Sequence, residues 1–219
     1  MDPVPLILLG GLLALDGTAV GQVMVSRPLV AGVLTGWVAG DPAFGLLLGG
    51  ILEVYFISIF PVGGGDFPEG GPPTVAAVAV GVATGGAAGV ALGAALGLVL
   101  SRLGSLSIRV QRRVNGRLAP DPSKAGGSPG SVVGRHLTCV ALDFGRGCVL
   151  TYIGVLVGGG VSGLLATTWP LEVRGTLTLL AIGASIPAGA LLGSLGGWRK
   201  RGALFGTGLF IALLMGLVL

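Results

Sequence analysis

Residues 74–101 read TVAAVAVGVATGGAAGVALGAALGLVLS, a run without a single charge. The hydrocarbon core of a bilayer is about 30 Å thick and needs roughly 20 apolar residues in a helix, so this run predicts a comfortable membrane span. Its glycines recur at Gly81, Gly85, Gly89, Gly93 and Gly97. Small residues four apart share one face of a helix and let a neighbouring backbone come close. These five are therefore expected to form a packing face on one helix. Gly32, Gly36 and Gly40 repeat the spacing in a second apolar stretch.

The remainder of the 219 residues agrees with a membrane environment. The chain is 52% hydrophobic and only 10% charged, with a mean hydropathy of +0.94. A soluble domain carries about 25% charged residues, so polar side chains are too few here to clothe a soluble globule. The 44 Gly and 13 Pro would signal disorder in a polar chain, but disorder requires low hydrophobicity and high charge. A GC-rich coding background, visible as 11 Arg against 2 Lys, accounts for part of the glycine. The expected fold is an all-α polytopic integral membrane protein. Apolar stretches at about 4–25, 28–40, 43–62, 74–101, 137–166, 175–197 and 202–219 give six to eight transmembrane or re-entrant helices. Of these, 43–62 reads as a full span. The 28–40 stretch, bounded by Arg27-Pro28 and Gly40-Asp41-Pro42, is too short to cross and reads as half of a broken helix or a re-entrant segment. The chain divides into an N-terminal membrane half (1–101), a basic loop (102–136) and a C-terminal membrane half (137–219).

Charge placement orients these segments. Between Arg102 and His136 stand Arg102, Arg109, Arg112, Arg113, Arg117, Lys124 and Arg135 against Asp121 alone. No aromatic residue is interleaved, which argues against nucleic acid; a cytoplasmic loop retaining Lys and Arg is the better account. Arg199-Lys200-Arg201 is a second such cluster, so 137–166 and 175–197 should cross out and back, with Trp169-Pro170 turning on the far side. Residues 105–118 read as a short interfacial helix and 120–130 as a flexible linker. Met1-Asp2-Pro3 lacks the positive start of a signal peptide, so the segment from Val4 is expected to be retained. Cys139 and Cys148, nine apart, face opposite sides of a helix, and His136 is the only histidine. No metal site or cofactor is expected. Gly158–Gly163 matches G-x-G-x-x-G but lies inside an apolar segment, without the strand a nucleotide fold requires.

Charged residues inside membrane segments are costly and usually face a protein interior or a pathway. Glu53 is the only charge between Leu46 and Phe60. With no partner nearby in sequence, it is expected to serve a pathway or ligand. Asp143 and Arg146, three apart on one helix face, are expected to form a structural ion pair. The strip from Pro61 to Pro73 (PVGGGDFPEGGPP) is non-helical and carries Asp66 and Glu69. It reads either as a solvent loop or as the unwound backbone that transporters place at substrate sites. A faint echo between 42–49 and 187–193 suggests two similar halves.

The run Ser26-Arg27-Pro28-Leu29-Val30-Ala31-Gly32, then Gly36, Gly40-Asp41, Gly45, Gly49-Gly50-Ile51-Leu52-Glu53, Gly63-Gly64 and Pro68-Glu69, resembles the membrane subunit IIC of mannose/fructose/sorbose-type sugar phosphotransferase systems. The likeness is densest over 12–75, and the C-terminal half resembles the family only in order and character. The acid the family commonly carries a few positions before Arg27 is replaced by Gly21-Gln22, with Asp16 further upstream. The resemblance implies a sugar-translocating subunit with no catalytic residue of its own. It implies hexose binding by Glu53, Gly63, Gly64, Asp66, Glu69 and Asp41, and delivery of the sugar for phosphorylation by a IIB component. It also implies a IID-like membrane partner, soluble IIA and IIB components, a homo- or hetero-oligomer, and a multi-pass location in the bacterial inner membrane. Two other readings are a transporter-like relative working outside a phosphotransferase chain, and a non-transporting assembly or regulatory membrane protein.

Overall fold

Proline, glycine and aspartate set the ends of the helices. The computed structural model describes residues 2–59, 65–119, 129–194, 196–197, 199–207 and 210. Seven helices follow in order: α1 (Val4–Thr18), α2 (Pro28–Ala39), α3 (Pro42–Tyr55), α4 (Gly71–Thr84), α5 (Gly86–Leu118), α6 (Pro129–Thr168) and α7 (Val173–Ser194). Residues 199–207 are also helical, and no strand occurs among the described residues. The first four helices each carry Pro in the opening turn, where its missing N–H removes no helical bond. α2 stops at Gly40, whose φ of 88° is left-handed. The Asp41 carboxylate then accepts from the Phe44 N–H at 2.9 Å and starts α3.

The Gly40-Asp41 turn folds α2 and α3 into an antiparallel hairpin held by bare backbone. A methyl group at Gly32 would lie 2.8 Å from the Gly49 Cα, and one at Gly45 would lie 2.8 Å from the Gly36 Cα. With 12 and 14 residues, the two helices are about 18 and 21 Å long, short of the hydrocarbon thickness. The 43–62 stretch is therefore not a full span: α3 ends at Tyr55, and the chain from 60 to 64 lies outside the described residues.

The charge-free run at 74–101 breaks in two. Gly85 and Gly86 take φ of 74° and 55°, a pair of left-handed residues that reverses the chain between α4 and α5. The five glycines therefore do not share one helix. Gly85 sits at the turn with open space around it. Gly81 on α4 faces Gly89 on α5, while Gly93 and Gly97 press against Ala77 together with Leu48 and Leu52. Hydropathy could not mark this break, because glycine in a turn is as apolar as glycine in a span.

α4 lies at the centre. Every residue from Gly71 to Gly81 is buried, enclosed by α1, α2, α3, α5 and α6, as expected for a short helix that is apolar all round. α1 closes on α6 through Gly10 and Gly11: a methyl at Gly11 would lie 2.6 Å from the Cys148 Sγ and the Phe144 ring. Among the described residues, α5, α6 and α7 are the helices long and apolar enough to span a membrane. Residues 105–118 are not a separate interfacial helix but the continuation of α5, which runs about 50 Å over 33 residues. α6 starts at Pro129 and extends for 40 residues; the proposed linker lies mostly outside the described residues. Among the described helices α7 packs against α3 and α5, with the Tyr55 hydroxyl donating to the Leu180 carbonyl at 3.1 Å. Pro42 opens α3 whereas Pro187 lies inside α7, so the sequence echo does not mark equivalent positions.

The hairpin contact yields a direct test. Gly45→Ala forces a methyl into the α2 backbone, which overpacking puts at about 1–3 kcal/mol, and should lower the melting temperature in detergent. Gly134→Ala on α6, where nothing lies within 4 Å, should leave it unchanged.

Candidate functional site

Pro28 excludes Arg27 from α2 and leaves it extended at the helix start (φ −63°, ψ 138°). From there its guanidinium reaches the end of α3. Arg27 Nε donates to Glu53 Oε1 at 2.8 Å, and Nη2 donates to the same oxygen. The Leu29 N–H approaches Glu53 Oε2 at 3.3 Å. Glu53, expected without a partner, is thus half of an ion pair. Their spacing held the signal: Arg27 and Glu53 stand thirteen residues on either side of Gly40, so a tight turn there must bring them level. The side chains remain 26% and 23% exposed.

That exposure opens into a cleft of about 830 Å³ between the end of α1, the start of α2 and the end of α3. Asp16, Thr18, Gln22, Ser26, Phe67 and Arg112 line it beside the pair. Asp16 shapes one wall. Its carboxylate accepts from the N–H groups of Val23 at 2.8 Å and Ser26 at 2.7 Å. Within that turn Gln22 and Met24 take φ of 53° and 66°, a conformation uncommon for residues with side chains. By sequence Asp16 stands further upstream than the acid the family commonly carries before Arg27.

The strip enters the cleft from the other side. Phe67 lines it, with the Arg112 guanidinium 5.9 Å over its ring and Arg112 Nη1 donating to the Gly65 carbonyl at 3.1 Å. Asp66 lies 3.4 Å from Arg109 at the exposed end. Glu69 turns inward. Its two oxygens accept from Arg146 at 2.7 and 2.8 Å, and its N–H donates to the Ser101 carbonyl at 3.1 Å. Arg146 Nε also donates to Asp143 Oδ1 at 2.8 Å, and Nη1 to the Ser107 hydroxyl at 2.9 Å. The Thr18 hydroxyl completes the group by donating to Asp143. Arg146, Glu69 and Asp143 are 9%, 4% and 4% exposed, so this is a sealed cluster beside an open one. Helical spacing pairs Asp143 with Arg146 but gives no sign that Glu69 joins them.

Of the other expected sugar contacts, Asp41 caps α3 at the hairpin tip, about 18 Å along the helix from Glu53. Gly63 and Gly64 lie outside the described residues. Arg27, Phe67 and Arg112 were not singled out as site residues. Among the described residues no cluster of His, Cys, Asp and Glu could hold a metal.

The sequence pattern of the family described as PTS system sorbose-specific IIC component matches residues 4–188. The chain belongs to this family. It is a membrane subunit of a phosphotransferase-system sugar transporter. No curated protein sequence matches the IIC subunit. It is similar to a solved structure described as that of a membrane protein, with a TM-score of 0.70 and 18% identity over 100% of this chain and 93% of that one. It is also similar to a chain in the cryo-EM structure of the mannose transporter ManYZ with microcin E492, with a TM-score of 0.63 and 17% identity over 95% of this chain and 85% of that one. At such identities the two establish the fold alone, an all-helical membrane architecture.

The sealed and open clusters should respond differently to neutralisation. Arg146→Met leaves two buried carboxylates without their cation, a loss of about 3–5 kcal/mol, and should sharply lower the melting temperature of the IIC subunit in detergent. Glu53→Gln, in the half-exposed pair, should cost well under half as much in the same measurement.

Proposed function

We propose that the IIC subunit binds a hexose in the cleft, with Glu53 and Arg27 as the polar contacts, and passes it toward the cytoplasmic side for phosphorylation by a soluble IIB component. The observation that carries this reading is the half-exposed Arg27–Glu53 pair facing a cleft whose volume falls within the usual range for small-molecule sites. A carboxylate and a guanidinium side by side suit neighbouring sugar hydroxyls, which donate to the first and accept from the second. The Phe67 ring offers a face for the apolar side of a pyranose. When the sugar departs, the pair closes on itself, so neither charge is left bare in a low-dielectric site.

The rest of the site has supporting roles in this reading. Glu69 fixes the inner end of the strip through Arg146, and Asp66 with Arg109 holds its exposed end. Gly63 and Gly64 belong to the same strip by sequence. Arg109, Arg112, Arg113 and Arg117 on the far half of α5 support a cytoplasmic placement for this end of the cleft. The location is a bacterial inner membrane. The likeness to a chain of a mannose transporter supports a hexose as cargo, and the apolar outward faces of α6 and α7 leave room for a IID-like membrane partner.

Sugar uptake measured in cells or vesicles containing the other phosphotransferase components decides the matter. Glu53→Ala and Glu53→Gln should each reduce uptake about 30- to 100-fold, the worth of a hydrogen bond to a charged group, at unchanged membrane expression. Undiminished uptake by both variants would remove Glu53 from the sugar site. Asp41→Asn, at the helix cap, should leave the apparent KM for sugar as it is.

A further inference from the structure

α7 meets the α2–α3 hairpin along one edge only, and a groove remains between them. Its deeper part, about 640 Å³, is lined by Leu46, Leu47, Ile51 and Val54 on α3 and by Leu177, Ala184 and neighbours on α7. Leu177 and Ala181 also line a second recess, which continues the groove to Val173 and Arg174. The result is an apolar channel along α7 with a guanidinium at one end.

Three observations identify what lies in it. The first is depth. Trp169, whose indole N–H donates to the Thr176 hydroxyl at 2.8 Å, marks the turn before α7 as a membrane–water interface; the groove descends from there along a helix long enough to span. Water is a poor occupant of such an apolar channel. The second is shape. From Leu177 to Ala188 the helix rises roughly 16 Å, and the apolar furrow of about 640 Å³ along that length is elongated in the way an extended hydrocarbon chain is. The third is charge. Arg174 is exposed in the first turn of α7, where its charge and the helix dipole both favour an anion. Among the described residues no carboxylate pairs with it.

We propose that this groove is a phospholipid site, with the lipid phosphate on Arg174 and one acyl chain lying between α3 and α7. The chain is then part of the packing of α7, which otherwise rests on α5 and on α3, the latter including Tyr55. The groove lies beside the sugar cleft and shares Leu29 with it.

The full-length IIC subunit in nanodiscs doped with phosphatidylcholine carrying a photoreactive acyl chain provides the test. Cross-links mapped by mass spectrometry should concentrate about tenfold on Leu47, Val54 and Ala181 relative to the outward Leu156 and Leu164 of α6. Arg174→Ala should reduce them about tenfold, the worth of one charge-assisted contact, without reducing labelling by a photoreactive diacylglycerol, which lacks the phosphate. Ala181→Trp, at an exposed position within the groove, should remove both. Even labelling of groove and outward faces, or phospholipid labelling indifferent to Arg174→Ala, overturns the proposal. So does cross-linking of the groove to a second copy or to another protein in place of lipid.

Discussion

The Arg146 guanidinium ties together three separate parts of the chain through one buried group. It stands on α6, takes both oxygens of Glu69 at the threshold of α4, pairs with Asp143 one turn away and reaches Ser107 on α5. Asp143 in turn takes the α1 hydroxyl of Thr18. Desolvating three charges is expensive, and their mutual attraction repays it only when geometry and hydrogen bonding are both good. Here one end of the central helix is set by it. Since Glu69 follows Phe67 by two residues, the wall of the cleft is positioned by a cluster the cleft does not expose.

Apart from that cluster, the fold relies on proximity rather than polarity. In a bilayer the lipid is as apolar as leucine, so helices gain little from burying side chains and associate through close packing. The glycine content is the means. The α2–α3 hairpin and the α4–α5 turn both bring backbone against backbone, and α4 is thin enough to be wrapped on all sides. What a composition table presents as an excess of one residue is, at Gly32, Gly36, Gly45 and Gly49, a contact that no larger residue can make.

Local relations were legible in the sequence and distant ones were not. Hydropathy sufficed for an all-helical membrane protein, and the Arg27–Glu69 run was specific enough to indicate the family. Asp143 and Arg146 could be paired because three residues of helix separate them. Arg27 and Glu53 could not, since their meeting depends on a reversal at Gly40 that a short apolar stretch leaves ambiguous. The break at Gly85-Gly86 was hidden for a related reason: the four-residue spacing continues through the turn, so its periodicity imitates one helix. Glu69 is a sugar contact only by the family resemblance, and its side-chain partner Arg146 lies 77 residues away.

The first four helices have 15, 12, 14 and 14 residues, each below what a bilayer requires of an independent span. They also leave the ribosome before the three long helices. The nascent N-terminal half therefore cannot be laid into the membrane one helix at a time. It has to wait for α5 and α6 to supply the protein walls that short helices and a non-helical strip need at membrane depth. Closing the hairpin joins Arg27 to Glu53, so two of that half's charges are already paired when the walls arrive.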